Sequence, residues 1–279
     1  MAAALSFTDA QAIVTDLNDF DSFMVLTLSG AGMAGIEHHT QRTPLQDGET
    51  HIRTLLAPRF LIVELVIMAT TFETLQTARR TLTAALNPKK GAGTLKYKPD
   101  PAGVEYGISC FIEQGADFSN PVSPAAEVAT ISFRCPDPAW YNTTPSAPTV
   151  VVPAGGLSIP ISIPMSISKA AKTETITNAG DLARYPVITA PGPFSDPLIK
   201  NDTTGKYLKL EGLSVASGET LTVDMSARTV AVAGVSYIDR VTAESEFWPL
   251  ERGANSVTIT VESGGATFTV TYNTPYLGV

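Results

Sequence analysis

Glu244-Ser245-Glu246-Phe247-Trp248-Pro249-Leu250-Glu251-Arg252-Gly253-Ala254-Asn255 leads into two alternating runs joined by Ser263-Gly264-Gly265. In the first run Val257, Ile259 and Val261 alternate with Ser256, Thr258, Thr260 and Glu262. In the second, Phe268, Val270 and Tyr272 alternate with Thr267, Thr269 and Thr271. Period-two alternation sends the two sets of side chains to opposite faces of a strand. The Ser-Gly-Gly supplies the positive φ of a tight turn, so the stretch is expected to form a hairpin. A lone hairpin is marginal in water, so another sheet has to cover its apolar face. A β-sandwich follows, with this stretch as its last part. Phe247 and Trp248 are expected in its core, with Trp248 largely buried.

Working outward, the rest of the second half alternates in the same way. Strand-like runs fall at 173–177, 185–189, 207–210, 219–224 and 228–232, and Ile159, Ile161, Ile163, Met165 and Ile167 interleave with Ser and Pro. Turn signals separate them at Asn178-Ala179-Gly180, Asn201 to Gly205, Ala216-Ser217-Gly218 and Ala233-Gly234. Short strands at this spacing predict a sandwich or jelly roll. Upstream, Pro136 to Pro148 holds four prolines in thirteen residues, which favours an extended connection and marks a domain boundary. The expected division is 1–140 and 141–279.

The first half is predicted to be antiparallel β with one helix. Phe23 to Leu28, a strand or pair of strands over 52–69 broken at Ala57-Pro58, Thr94 to Lys98, Val104 to Ile112 and Val128 to Arg134 read as strands, the last with Ala129, Ile131 and Phe133 on one face. The helix is expected near 71–87: Thr70-x-x-Glu73 has capping-box spacing, Phe72, Leu75, Ala78, Leu82, Ala85 and Leu86 share a stripe, and Asn87-Pro88 ends it.

Composition limits the functions. The 279 residues suit about two domains at roughly 150 residues each. A hydrophobic content of 44% against 16% charged leaves ample core material and argues against disorder. The net charge of −8, with no basic run, argues against nucleic-acid recognition. Met1-Ala2-Ala3-Ala4 lacks the start of a signal peptide, and the apolar stretch from Phe60 to Ala69 is too short for a membrane helix. Synthesis in the cytoplasm without membrane insertion is the expectation. Cys110 and Cys135 fall in strand-like segments and read as buried thiols.

Candidate chemistry is thin. Gly30-Ala31-Gly32-Met33-Ala34-Gly35 matches the dinucleotide-binding GxGxxG, but no helical period follows it, so a glycine-rich turn is the better reading. His38, His39 and His51 cluster, yet adjacent strand residues point apart and no cysteine or spaced carboxylate joins them, so no metal is expected. The segment from Thr40 to Thr50 reads as an exposed loop. His38, His39, Arg42, Gln46, Asp47 and His51 are its candidate interface residues. Glu244 and Glu246 share a strand face and are the only candidate glycosidase pair; a solvated face is the simpler explanation. No Gly-x-Ser-x-Gly elbow is present. Neither catalysis nor a cofactor is expected.

Several passages in order resemble the distal tail proteins of long, non-contractile-tailed bacteriophages. They are Phe133 to Tyr141 with its Asp137-Pro138, Asn178-Ala179-Gly180 followed by Tyr185-Pro186-Val187-Ile188, the pair Leu198 to Leu208 and Gly218 to Asp224, and Ser245-x-Phe247-x-x-Leu250-x-x-Gly253-x-Asn255. Gln46-Asp47-Gly48 and Leu56-Ala57-Pro58-Arg59 also fit the family's first domain, whereas the Ala-rich start and the 157–168 run depart from it. The resemblance implies a mainly β protein of two domains: an N-terminal β-sandwich with one helix, the belt domain, and a peripheral C-terminal sandwich of galectin-like or jelly-roll shape. It further implies a structural virion protein at the tail tip. Such a protein forms a homo-hexameric ring between tail tube and tail-tip hub proteins and anchors receptor-binding or fibre proteins. The alternative is a module whose C-terminal sandwich binds host cell-surface glycan directly.

Overall fold

The computed structural model describes residues 3–154 and 170–279, which divide into two compact units, Met1–Thr143 with Tyr276–Val279, and Thr144–Pro275. The alternating run at 159–167 lies outside the described residues. The last four residues belong with the first unit, a return that a linear division of the sequence cannot express.

The first unit contains β1 (Ala4–Thr8), β2 (Val14–Asp16), β3 (Phe23–Ser29), β4 (Ile36–Gln41), β5 (Thr50–Leu56), β6 (Arg59–Met68), α1 (Phe72–Ala85), β7 (Gly93–Lys98), β8 (Tyr106–Ser123), β9 (Ala126–Cys135) and β10 (Trp140–Asn142). A continuous antiparallel sheet runs β2-β1-β7-β8-β9-β6-β3. It folds over at β8, whose first part pairs with β7 and whose second part pairs with β9. Register bulges along β8–β9 supply the bend. One core results, filled by Leu5, Phe7, Leu95 and Ile108 from one layer and Leu61, Val63, Leu65, Ile67, Ile131 and Phe133 from the other. The predicted inward set Ala129, Ile131 and Phe133 is fully buried.

The helix buries Leu75, Leu82 and Leu86, as the stripe requires. Two details differ from expectation. The N-cap is Thr71, not Thr70: its hydroxyl accepts the Thr74 N–H at 3.2 Å while the Thr74 hydroxyl accepts the Thr71 N–H at 3.0 Å. Phe72, the first residue of the helix, is 63% exposed, so the buried stripe begins at Leu75. The Pro-rich connection is also less free than composition implies. Trp140 is wholly buried, its indole N–H donates to Ala31 O at 3.2 Å, and Tyr141 pairs with Gly107 on β8.

The second unit contains β11 (Thr149–Val152), β12 (Ala170–Asn178), β13 (Val187–Pro191), β14 (Phe194–Ser195), β15 (Leu198–Asn201), β16 (Lys206–Lys209), β17 (Ser214–Val215), β18 (Thr220–Asp224), β19 (Thr229–Val232), β20 (Val235–Ser236), β21 (Gly253–Val261), β22 (Ser263–Gly264) and β23 (Ala266–Thr271). Two antiparallel sheets, β11-β23-β13-β18-β19-β20 and β12-β21-β15-β16, enclose one core, and β17-β14-β22 forms a small third sheet.

The last two long strands do not pair with each other, contrary to the hairpin read from the sequence. β21 pairs with β12 and β15, whereas β23 pairs with β11 and β13. The intervening Ser263–Gly264 instead pairs with Phe194–Ser195, and this stitch carries the chain from one sheet to the other. Val257, Ile259, Val261, Phe268 and Val270 therefore bury into a shared core from opposite sides, each wholly inaccessible. The covering sheet that the first run demands includes the second run.

Candidate functional site

The segment read as an exposed loop is, over 42–49, the connection of a two-stranded hairpin, and the histidines read as loop residues lie on its strands. β4 pairs with β5 from Ile36↔Leu56 to Gln41↔Thr50, with a bulge between His39 and Thr40 that takes up one extra residue. These two strands form a sheet of their own. Every residue of β4 is exposed, as is every residue of β5 except the half-buried Leu56. Polar contacts order the surface: Thr54 Oγ1 lies 3.0 Å from His38 Nδ1 and 2.8 Å from His51 Nε2, and the two imidazoles meet edge to face at 5.8 Å. Gln46 ties the turn, accepting from Thr43 Oγ1 at 2.6 Å and donating to Thr50 Oγ1 at 3.0 Å. His39, Arg42 and Asp47 are exposed along the same element. All six candidate interface residues thus lie on one hairpin and its turn.

Apolar side chains accompany them. Ile36, Ile52 and Leu55 are 47%, 59% and 42% exposed, and Leu45 at the turn is fully exposed with φ of 66°. A left-handed backbone at a residue with a Cβ costs roughly 1–2 kcal/mol. No burial inside the chain offsets that cost.

The root of the hairpin is firmly held. Arg59, only 3% exposed, donates from Nη1 to Gly30 O at 2.7 Å and to Gly32 O, from Nε to Pro138 O at 2.9 Å and from Nη2 to Leu277 O at 2.6 Å. Its guanidinium lies 5.9 Å from the centroid of the Trp140 ring. Ala57 N–H donates to Gly35 O at 2.8 Å and closes the base. The glycine-rich segment is therefore a set of carbonyls aimed at one arginine, and no helix follows it. This knot was missed from the sequence, where Arg59 is an ordinary charge beside a proline.

In the second unit the signature stretch turns out to be scaffold. Trp248 is wholly buried and its indole N–H reaches Ile199 O at 3.4 Å. Asn255, also wholly buried, accepts the Glu251 N–H at 2.9 Å and donates to Glu251 O at 2.8 Å and Gly253 O at 3.1 Å. Asn201 Nδ2 adds a bond to Asn255 Oδ1 at 3.2 Å. Asn178 links Leu182 O and Leu250 O and accepts from Gly180 N–H. A Cβ on Gly180 would run into the Pro275 carbonyl, so that Asn-Ala-Gly turn needs its glycine. The spacing in these motifs is the spacing of buried amides bracing turns.

Glu244 and Glu246 do not form a facing pair, and the segment holding them is not a strand. Glu244 accepts from the Tyr207 hydroxyl at 3.1 Å, and Glu246 pairs with Lys206 at 2.9 Å. Those partners hold the Tyr207 hydroxyl and the Lys206 ammonium above their usual pKa values, through the hydrogen bond first and the charge second for Lys206. Among the described residues no group of His, Cys, Asp and Glu is arranged to hold a metal ion, and no helix is long and apolar enough to cross a membrane.

Residues 15–135 match the phage tail protein RIFT-related domain, and residues 179–276 match the C-terminal domain of the siphovirus-type tail component. The structure is similar to the crystal structure of the SPP1 Dit (gp 19.1) protein, which is described as a paradigm of hub adsorption apparatus in phages infecting Gram-positive bacteria. The TM-score is 0.70 at 16% identity, over 98% of this chain and 100% of that one. It is also similar to a chain in the baseplate of phage p2 in its activated conformation with calcium, with a TM-score of 0.56 at 9% identity over 97% and 98% of the two chains. The strontium form of that baseplate matches equally, at a TM-score of 0.56 and 9% identity over 98% of each chain. No curated protein matches the sequence. The chain thus carries a phage tail protein RIFT-related domain followed by a siphovirus-type tail component C-terminal domain, and these matches together with the structural likeness support the distal tail protein family.

Proposed function

We propose that this virion tail protein is the distal tail hub: six copies close a ring through the first unit, joining the tail tube to the tail-tip proteins. On this reading residues 1–140 act as the belt and residues 141–279 as a peripheral sandwich that anchors receptor-binding or fibre proteins. Synthesis in the host cytoplasm precedes assembly. The mechanism is assembly, with no turnover.

The observation that carries the proposal is the β4–β5 hairpin. An isolated two-stranded hairpin is marginal in water. This one has apolar residues on its strands, a strained leucine at its turn and no core of its own. A partner surface that covers Ile36, Ile52 and the Leu45 turn explains all three. A hairpin that reaches onto the neighbouring copy is a head-to-tail contact, and such contacts generate rings when the rotation closes. The described hub and baseplate roles of the similar structures favour the same reading. The six candidate residues would form the polar rim of that contact. Analytical ultracentrifugation of the full chain over a hundredfold concentration range tests the idea. A species of six chains is expected. A strict monomer throughout that range, joined by no tail-tube or tail-tip partner, overturns it.

A further inference from the structure

One inward-facing row of the first unit's sheet lacks the usual core hydrophobes. Arg59 on β6 is the register partner of Cys135 on β9. The β9–β8 register pairs Arg134 with Phe111 and Phe133 with Ile112, which sets Cys135 directly across from Cys110. Cys110 in turn faces Gly93 on β7. The adjacent row, Leu61, Phe133 and Ile112, is ordinary core. Cys110 and Cys135 are the chain's two cysteines, both free thiols and both wholly buried. Directly opposed strand residues have Cα atoms about 4.5–5.5 Å apart. A disulfide spans roughly 4.4–6.8 Å between Cα atoms, so this register is compatible with a bond between the two residues.

The two thiols differ in their surroundings. The hydrogen bond to Cys135, together with burial, pushes the Cys110 thiol well up, which keeps its proton in place. Cys135 is instead the cross-strand neighbour of Arg59, whose guanidinium is buried. That cation is satisfied by four backbone carbonyls and pairs with no carboxylate among the described residues. A fixed positive charge beside a sulfur favours its attack as a nucleophile.

We propose that Cys135 and Cys110 form an oxidation site for a small peroxide, with Cys135 the attacking sulfur and Cys110 the resolving thiol. The Cys135 sulfur attacks one peroxide oxygen, the O–O bond breaks, and the departing oxygen leaves as water with the Cys135 proton. Cys135 is then a sulfenic acid. The Cys110 sulfur attacks it, the S–S bond forms as the S–O bond breaks, and a second water leaves with the Cys110 proton. Two thiols and one hydrogen peroxide thus give one disulfide and two waters; the sulfurs are oxidised and the peroxide is reduced. The bond ties β8 to β9 where β8 passes from one layer to the other. The site does not depend on the ring. In a tail protein, however, it would remain reduced in the cell and close in oxidising surroundings outside.

The test treats the folded full chain with limiting hydrogen peroxide and reads intact mass and a non-reducing peptide map. The expected product has lost two hydrogens, contains a linked 110–135 peptide and melts roughly 5–10 °C higher. Cys110→Ser is expected to stop at a single added oxygen on Cys135, trapped by dimedone. Cys135→Ser is expected to lose its remaining thiol at least tenfold more slowly. Should the folded chain keep both thiols under conditions that oxidise the urea-unfolded chain, the site is overturned. Disulfide-linked dimers as the main product, or equal reactivity of the two serine variants, would overturn it as well; the unmutated chain decides the first of these outcomes even if a variant fails to fold.

Discussion

The β4–β5 hairpin and the stretch from Gly253 to Thr271 are both strand–turn–strand passages with apolar and polar residues interleaved, and the fold treats them in opposite ways. In the second, Val257, Ile259, Val261, Phe268 and Val270 are wholly buried because the two strands part into facing sheets. In the first, the strands stay paired and Ile36, Ile52 and Leu55 remain 42–59% exposed. Burying such a side chain stabilises by roughly 1.5–3 kcal/mol. The sandwich strands collect that stabilisation within the chain. The hairpin collects it only when another surface arrives. On the proposed reading, the stability of one region is a property of the monomer, and that of the other a property of an assembly.

Substitutions can break or sharpen this contrast. Trp248→Ala should have the largest effect, a loss of about 3–5 kcal/mol from the second unit for emptying a fully packed site, measured by denaturant unfolding. Asn255→Ala should cost about 1–3 kcal/mol, because the Glu251 N–H and the Glu251 and Gly253 carbonyls lose their buried partner. Asp9 sharpens the contrast on the pH axis. Its carboxyl is held below its ordinary value by the hydrogen bond from Lys90, then by the Ile13 N–H. A depressed carboxylate contributes stability that is complete above the unfolded-state value of 3.8 and is lost as pH falls through the folded-state value. Asp9→Asn should therefore lower the first unit's stability at neutral pH and flatten the acid limb of its curve, the difference from the parent vanishing once pH falls below the folded-state value. The smallest effect on monomer stability, within about 0.5 kcal/mol, is expected of Ile52→Glu.

Much of the fold was legible in the sequence. Alternation located most of the strands, the helical stripe found Leu75, Leu82 and Leu86, and Trp248 is buried as expected of a large aromatic in a sandwich. What failed was pairing. Periodicity assigns a face and not a neighbour, so β21 and β23 read as partners when a stitch at Ser263–Gly264 sends them to different sheets. The same limit hid the row Arg59, Cys135 and Cys110, whose members are far apart in sequence and meet only through register. Two adjacent threonines made the cap ambiguous by one residue. In the β4–β5 hairpin, β5 and the connecting loop were legible, but β4 and its pairing were not, because a strand without a core of its own has no inside to write into the pattern.

The central claim is that the exposed hairpin is an intermolecular contact. Native mass spectrometry of the full chain beside its Ile36→Glu/Ile52→Glu variant tests it most directly. The account predicts a six-chain species for the unmutated protein, and a folded monomer, with the parent's far-UV circular dichroism, for the variant. An unmutated chain that is monomeric at every concentration, or a variant that assembles as well as its parent, would contradict it.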